Sequence, residues 1–405
     1  MSNWEEGSVP SDTAQVIVNA CSVCPTLTSN VSLKTITLNS GSSINLNTYT
    51  LTTLPTIGIP DVSMNNAVVY SSNSKIACGS PALDNCIFNG DISFQVGDIS
   101  RESDYLVSSG GNIYNGKVVF DLIGDNQWFM GTTAGEIFNE DVIIKLRTGF
   151  YGGGYYGGGY FRLGNGTAGF SDTLTNIFNK DLFIEADSSN NGCLLSNIQC
   201  RGKFRLLAPH SYATILITGN STFDKSVTLT SNIDNRNYAN LIDFLPNDKQ
   251  VVFKDSVIIS THNQFSENIG GIFMGNLVGD ILAGKCIFDS SSILQVNSFE
   301  NSQLYLVHCE FAKRFSGTSI YLPQDSSSYL GYYFNTNFGK VSISAPTIGI
   351  YQNVFNEEVT FTKTGIGQSY FLGGNRFKKK VTVHNQVGSE SAIPMSYLIN
   401  DIISP

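Results

Sequence analysis

Charge is scarce in this chain. Asp, Glu, Lys and Arg make up 14% of its 405 residues, and the 33 acidic side chains outnumber the 24 basic ones to leave a net charge of −9. Without a basic surplus the chain cannot neutralise a phosphate backbone, which excludes nucleic acid as a partner. The shortage of Glu, Lys and Arg also excludes a largely helical protein, because those residues normally cover the wet faces of helices. Histidine is rarer still. His210, His262, His308 and His384 stand far apart with no metal-ligand spacing, so neither a metal nor any other cofactor is expected. No apolar run is long enough to span a bilayer. The opening Met1-Ser2-Asn3-Trp4-Glu5-Glu6 lacks the basic and apolar parts of a secretory leader, so an exported origin requires that a leader has been removed.

The chain is instead rich in aromatic rings, with 26 Phe and 18 Tyr, and in Asn, Ser, Thr and Gly. One phrase organises them: an aromatic residue, three polar or small residues, a β-branched anchor, any residue, then an apolar one. Good copies begin at Phe88, Tyr114, Phe138, Phe178, Phe223, Phe253, Phe355 and Phe377, and poorer ones at Cys200, Phe288, Phe311 and Asn337. The anchors are Ile92, Val118, Val142, Leu182, Phe204, Val227, Val257, Ile293, Phe315, Val341, Val359 and Val381. Burial at the anchor and two residues later has period two, which predicts a strand with one buried face. A strand that recurs every coil without an intervening helix pairs its backbone most simply by stacking. The expected fold is therefore all-β, a single right-handed parallel β-helix (β-solenoid) of about twelve or more coils.

Two residues before the aromatic, Asn112, Asn176, Asn335, Asn353 and Asn375 share one register, so stacked coils should align them in a ladder of amide hydrogen bonds. Cys86, Cys286 and Cys309 fall in the same register. The eight cysteines form sequence neighbours, Cys21 with Cys24, Cys78 with Cys86, Cys193 with Cys200 and Cys286 with Cys309, and read either as disulfides or as buried thiols. Cys286 and Cys309 lie one coil apart, within the Cα separation a disulfide accepts.

Three regions are expected: an N-terminal cap over residues 1–32, the β-helix over 33–391, and a C-terminal tail or cap over 392–405 that packs on the last coil. The long interval between Val142 and Leu182 holds a Gly/Tyr-rich insertion at 147–170, expected to project from the stack. Its Tyr151, Tyr155, Tyr156 and Tyr160, with Arg147 and Arg162, are the candidate ligand-binding residues; the alternative is that the rings fold back on the flank.

Trp4, Gly7, Val9-Pro10 and Val16-Ile17-Val18, then Leu33-Lys34-Thr35-Ile36-Thr37-Leu38 and Ser43-Ile44-Asn45-Leu46, precede the Asn-x-Phe-x-x-x-Val-x-Phe body. This arrangement resembles the large secreted right-handed parallel β-helix surface proteins of environmental bacteria, a pectate-lyase-like solenoid. The resemblance covers most of the chain and implies an exported, extracellular or cell-surface module. The C-terminal sorting domain of such proteins is not evident here.

Lyases and hydrolases of polysaccharides share that architecture. A lyase needs a cation-binding acidic cluster and a hydrolase needs two carboxylates across the scissile bond. Asp141 and Asp181 are the best pair available, but their turn register mixes signs along its length, from Asp91 and Lys117 to Lys340, Glu358 and Lys380, as a solvated corner does. The sequence favours a non-enzymatic structural, adhesion or binding module facing a glycan, a surface protein or another copy of itself through the solenoid ends. A polysaccharide lyase or glycoside hydrolase is the runner-up, and a phage-type receptor-binding fibre the third reading.

Overall fold

The computed structural model describes residues 10–20, 23–54, 60–97, 105–124, 127–147, 160–164, 174–186, 191–208, 213–233, 241–245, 249–263, 270–275, 284–289, 291–300, 302–312, 318–322, 328–366, 368–386 and 402–403. The described residues form strands, turns and bends with no helix, and hence no helix long and apolar enough to cross a membrane. Every strand pairing among the described residues is parallel, and the strands stack as in a β-solenoid. Two compact units divide the chain at Gly202 and Lys203.

In the first unit the anchor strands Ile92–Val96, Val118–Ile123, Val142–Arg147 and Leu182–Ala186 lie in register, so Ile92, Val118, Val142 and Leu182 form one inward column. Phe94, Phe120, Ile144 and Ile184 form the next. The short strands carrying the aromatic of each phrase make a second sheet, in which Phe88, Tyr114, Phe138 and Phe178 stack with ring centroids 4.7 to 4.8 Å apart. A third sheet follows through Tyr105–Val107, Gln127–Met130, Tyr160–Leu163 and Asn191–Ser196. Trp128, fully buried from that sheet, packs against Phe94, Phe120 and Phe161. Gln15–Val18 already pairs with Thr35–Leu38, so the parallel stack includes a rung N-terminal to the expected boundary at residue 33.

The second unit repeats the plan. Phe204, Val227 and Val257 stack as anchors, as do Val341 and Val359, and all are buried. One expected anchor is displaced and another lies outside the described residues. Leu294, not Ile293, is the register partner of Val257; Leu294 is buried and Ile293 is 58% exposed. Leu294 stands six residues after Phe288 where Val257 stands four after Phe253, so this corner holds two additional residues rather than one, and the difference of one moves the anchor from Ile293 to the opposite face. The register partner of Val341 is Thr318, whereas Phe315 lies outside the described residues. Val381 is only half-buried, on the last described strand of its sheet. Ile402–Ile403 adds as a strand on Arg376–Phe377, which places this part of the C-terminal tail on the final coil.

The bend into the second sheet needs one residue in the left-handed region, and Asn85, Asn197, His308, Phe334 and Gln352 all have positive φ there. Asn tolerates that conformation; Phe334 and His308 are sterically poor choices for it. The next residue points inward, and after Phe334 and Gln352 it is an Asn of the ladder, Asn335 and Asn353. In the second unit Asn335 Oδ1 accepts the Cys309 N–H at 2.7 Å, Asn353 Oδ1 the Asn335 N–H at 2.9 Å, and Asn375 Oδ1 the Asn353 N–H at 3.1 Å. Asn335 Nδ2 and Asn353 Nδ2 donate to carbonyls of the preceding coil, Leu306 and Tyr332, and Asn375 Nδ2 donates to Leu372 of its own corner. The amides thus satisfy buried backbone groups that the bend removes from the sheets.

Candidate ligand-binding face

The outward face of the third sheet in the second unit carries the densest group of partly exposed rings among the described residues. Its central column, one residue per strand, runs Leu216, Asp243, Phe273, Tyr305, Gly331, Gly349 and Tyr370. Phe273 and Tyr305 stack with centroids 4.6 Å apart and planes 7° from parallel. Tyr329 and Tyr333 flank Gly331 on its own strand, with Tyr305 at 5.6 and 6.3 Å from their centroids.

The glycines make this arrangement possible. A Cβ on Gly331 would lie 2.5 Å from Tyr305 Cδ1 and 3.0 Å from Tyr333 Cε2, so the Tyr305 ring leans over a position with no side chain. On the next strand a Cβ on Gly349 would lie 2.1 Å from the Tyr329 hydroxyl. Tyr329 and Tyr333 therefore converge above Gly349, where their hydroxyls hydrogen-bond to each other. Gly271 plays the same part under Phe273, whose Cε2 would meet a Cβ at 2.4 Å. The result is a pavement of half-buried rings over a glycine floor. Burial, then the neighbouring Tyr333, pushes the Tyr305 hydroxyl above its ordinary pKa, and burial with the Tyr333 contact does the same for Tyr329. Both hydroxyls are therefore neutral donors at physiological pH.

At one end of the pavement, Asp243 sits beside Phe273 in the central column. Burial pushes its pKa up to about 7, and its Oδ1 is buried with no hydrogen-bond partner among the described residues. Rings with an apolar face and a polar edge, close to a carboxyl group, suit a ligand that presents both C–H faces and hydroxyls.

Of the residues singled out from sequence, Arg147, Arg162, Asp141 and Asp181 lie in the first unit. Tyr151, Tyr155 and Tyr156 fall outside the described residues, and so does the side chain of Tyr160. Tyr160–Leu163 is a rung of the third sheet of the first unit, so this part of the insertion stacks rather than projects. Arg162 on that strand places its guanidinium over the Phe129 ring, 5.4 Å from the centroid, whereas Arg147, on the anchor sheet, pairs with Asp121 at 2.8 Å. The two arginines do not share a sheet. Asp141 and Asp181 are ladder neighbours at the solvated corner: Asp141 Oδ1 accepts the Asp181 N–H at 3.2 Å, as Asp91 Oδ1 accepts that of Lys117 at 2.9 Å. Further along the same register Lys340 and Glu358 are paired at 2.9 Å, the ladder ion pair expected there.

Among the cysteines, Cys286 and Cys309 are register partners on adjacent strands. Cys78 stacks on Val96, Cys193 on Phe161 and Cys200 on Phe178, while Cys86 gives its N–H to Asn112 Oδ1. Cys24 is partly exposed, and Cys21 lies outside the described residues. Among the described residues no group of three or more His, Cys, Asp or Glu is placed to hold a metal ion.

Two groups escaped the sequence reading. The tyrosine pavement has a signal, glycine and aromatics alternating with period two in Gly271-Ile272-Phe273 and Tyr329-Leu330-Gly331-Tyr332-Tyr333. Glu136 has a subtler one: it occupies the Asn-ladder register, two residues before Phe138. It is fully buried, accepts the Asn112 N–H and Nδ2, each at 3.1 Å, and gives its own N–H to Asn176 Oδ1. Burial pushes its carboxyl up to about 8, against the hydrogen bonds from Asn112 and the Gly131 backbone that pull it down.

Compared with known proteins, the chain matches no family model, and no curated protein or solved structure is significantly similar to it.

Proposed function

We propose that the chain is an exported, non-enzymatic binding solenoid, extracellular or on a cell surface, that presents the tyrosine pavement of its second unit to a glycan. On this reading the whole chain is one right-handed β-helix of about twelve or more coils. The phrase Cys200–Leu206, which runs through the boundary at residue 202, supports that continuity.

The observation that carries the reading is the glycine floor. Gly271, Gly331 and Gly349 stand where side chains would prop the rings away from the sheet, and the lack of side chains there lets Phe273 and Tyr305 lean over it as a parallel stack, with Tyr329 and Tyr333 inclined at 48° and 43° to Tyr305. Pyranose rings have apolar C–H faces that pack on aromatic faces, with hydroxyls at the rim for the tyrosine edges to meet. A face of parallel strands repeats about every 4.8 Å, so it is suited to an extended chain rather than to a single small molecule.

A glycan-array screen followed by calorimetry tests the reading. Tyr305→Ala and Tyr329→Ala should each weaken binding of an array hit about tenfold, the equivalent of one lost stacking contact. Gly349→Ala, which drives a methyl group into the Tyr329 hydroxyl, should weaken it too, while Arg147→Ala on the anchor sheet should not. Unchanged affinity in the tyrosine variants would refute the assignment.

A further inference from the structure

The second unit contains one pair of cysteines set for covalent union. Cys286 and Cys309 occupy the Asn-ladder register on adjacent strands, Lys285–Phe288 and Cys309–Phe311, and are directly opposite each other. Parallel register partners stand about 4.8 Å apart at Cα, inside the disulfide range of about 4.4 to 6.8 Å. Both side chains point inward at 0% and 2% exposure, and the two thiols are within hydrogen-bonding reach of each other.

Their place in the column explains why cysteine is tolerated there. Asn335 Nδ2 donates to the Leu306 carbonyl; the Cys309 thiol meets the equivalent Met274 carbonyl at 3.4 Å, and the Cys286 thiol that of Phe244 at 3.8 Å. In the reduced chain, where both are free thiols, two weak S–H donors thus stand in for two amides. Phe244, Met274 and Leu306 are themselves register neighbours, so the substitution is the same device used in successive coils.

We propose that Cys286 and Cys309 form an interior disulfide that staples these two coils when the chain folds under oxidising conditions. The coils so joined carry Phe273 and Tyr305, although the proposal does not rest on the glycan reading. The reaction exchanges two thiols and one molecule of oxidised glutathione for one protein disulfide and two reduced glutathiones. The Sγ–Sγ bond forms, both S–H bonds are lost, and the two protons and two electrons pass to the glutathione sulfurs. Because burial closes both sulfurs to reagents, exchange belongs to folding and not to the finished stack. The other described buried cysteines stack on residues that are not cysteine and stay reduced.

The test is refolding in a glutathione redox buffer, followed by alkylation in denaturant without reductant and tryptic mapping. Cleavage after Lys285 and Lys313 leaves both cysteines in one peptide, 286–313. That peptide should be unalkylated and lighter than its reduced form by two hydrogens. Cys309→Asn, which continues the amide ladder, should fold, leave Cys286 open to alkylation, and abolish the difference in melting temperature between oxidised and reduced samples. Two alkyl groups on the wild-type peptide after oxidative refolding, with Trp128 fluorescence of the folded chain, would overturn the proposal. So would a bond from Cys286 to any other cysteine. If Cys309→Asn fails to fold, the mass of the wild-type peptide still decides.

Discussion

At the scale of single residues, Glu136 is the most consequential side chain that composition and spacing did not reveal. In the Asn ladder each amide both accepts and donates, whereas the Glu136 carboxyl oxygens accept from Asn112 and from the Gly131 backbone. Its folded pKa, about 8, lies above the ordinary Glu value of 4.5. A group whose folded pKa is raised binds its proton more tightly when folded, so its contribution is fully present below about 4.5 and is lost as pH rises through about 8. Each pKa unit is worth about 1.4 kcal/mol. The first unit, monitored by buried Trp128, should therefore become easier to unfold in urea as pH is raised from 5 to 8. Glu136→Gln should flatten that slope whatever its effect on absolute stability. A parallel slope in the variant would show that the titrating group lies elsewhere.

At the scale of elements, the aromatic column shows how one defect is repaired by another strand. Asn337 is the register partner of both Phe311 and Phe355, so the column lacks a ring at that coil. Tyr332, from the third sheet, fills the gap: its ring stacks between Phe311 at 6.0 Å and Phe355 at 6.1 Å, and its hydroxyl donates to Asn337 Oδ1. Tyr332→Ala should cost about 3–5 kcal/mol, as loss of a large buried ring does. Adding Asn337→Phe should restore at least about 1 kcal/mol of it, since the new ring enters the space vacated. If denaturant melts show the two changes to be additive, the exchange between strands is wrong.

The same comparison explains what was legible in the sequence. The phrase captures the aromatic strand and the anchor strand because a short turn joins them at fixed spacing, as in Phe88–Phe94 and Phe223–Leu229. The third sheet was missed because segments of variable length separate its strands from the phrase. Ile215, Ile242 and Ile272 share a column without sharing a spacing. Phe288 marks the other limit: the corner after it holds two additional residues where the spacing of polar residues suggests one, and period two turns that difference of one, from Ile293 to Leu294, into a change of face. The tyrosine cluster lies in that third sheet, whereas the conspicuous glycine and tyrosine run of the sequence is at 147–170.

At the scale of the whole molecule, the parallel stacked strands of each unit separate interior from exterior cleanly. Inward columns of rings and amides hold the coils together, and each outward column is free to vary without disturbing them. On that view the outward face is where function is written, and the glycine-floored tyrosines are its most distinctive passage. Hydrogen–deuterium exchange on the full chain, with and without a glycan identified on the array, tests this most directly. The account predicts protection confined to the strands Gly270–Met274, Ser302–Val307, Tyr329–Tyr333 and Thr347–Tyr351. Protection centred on residues 147–170 or on the corner at Asp141 and Asp181, with none on those strands, would contradict it.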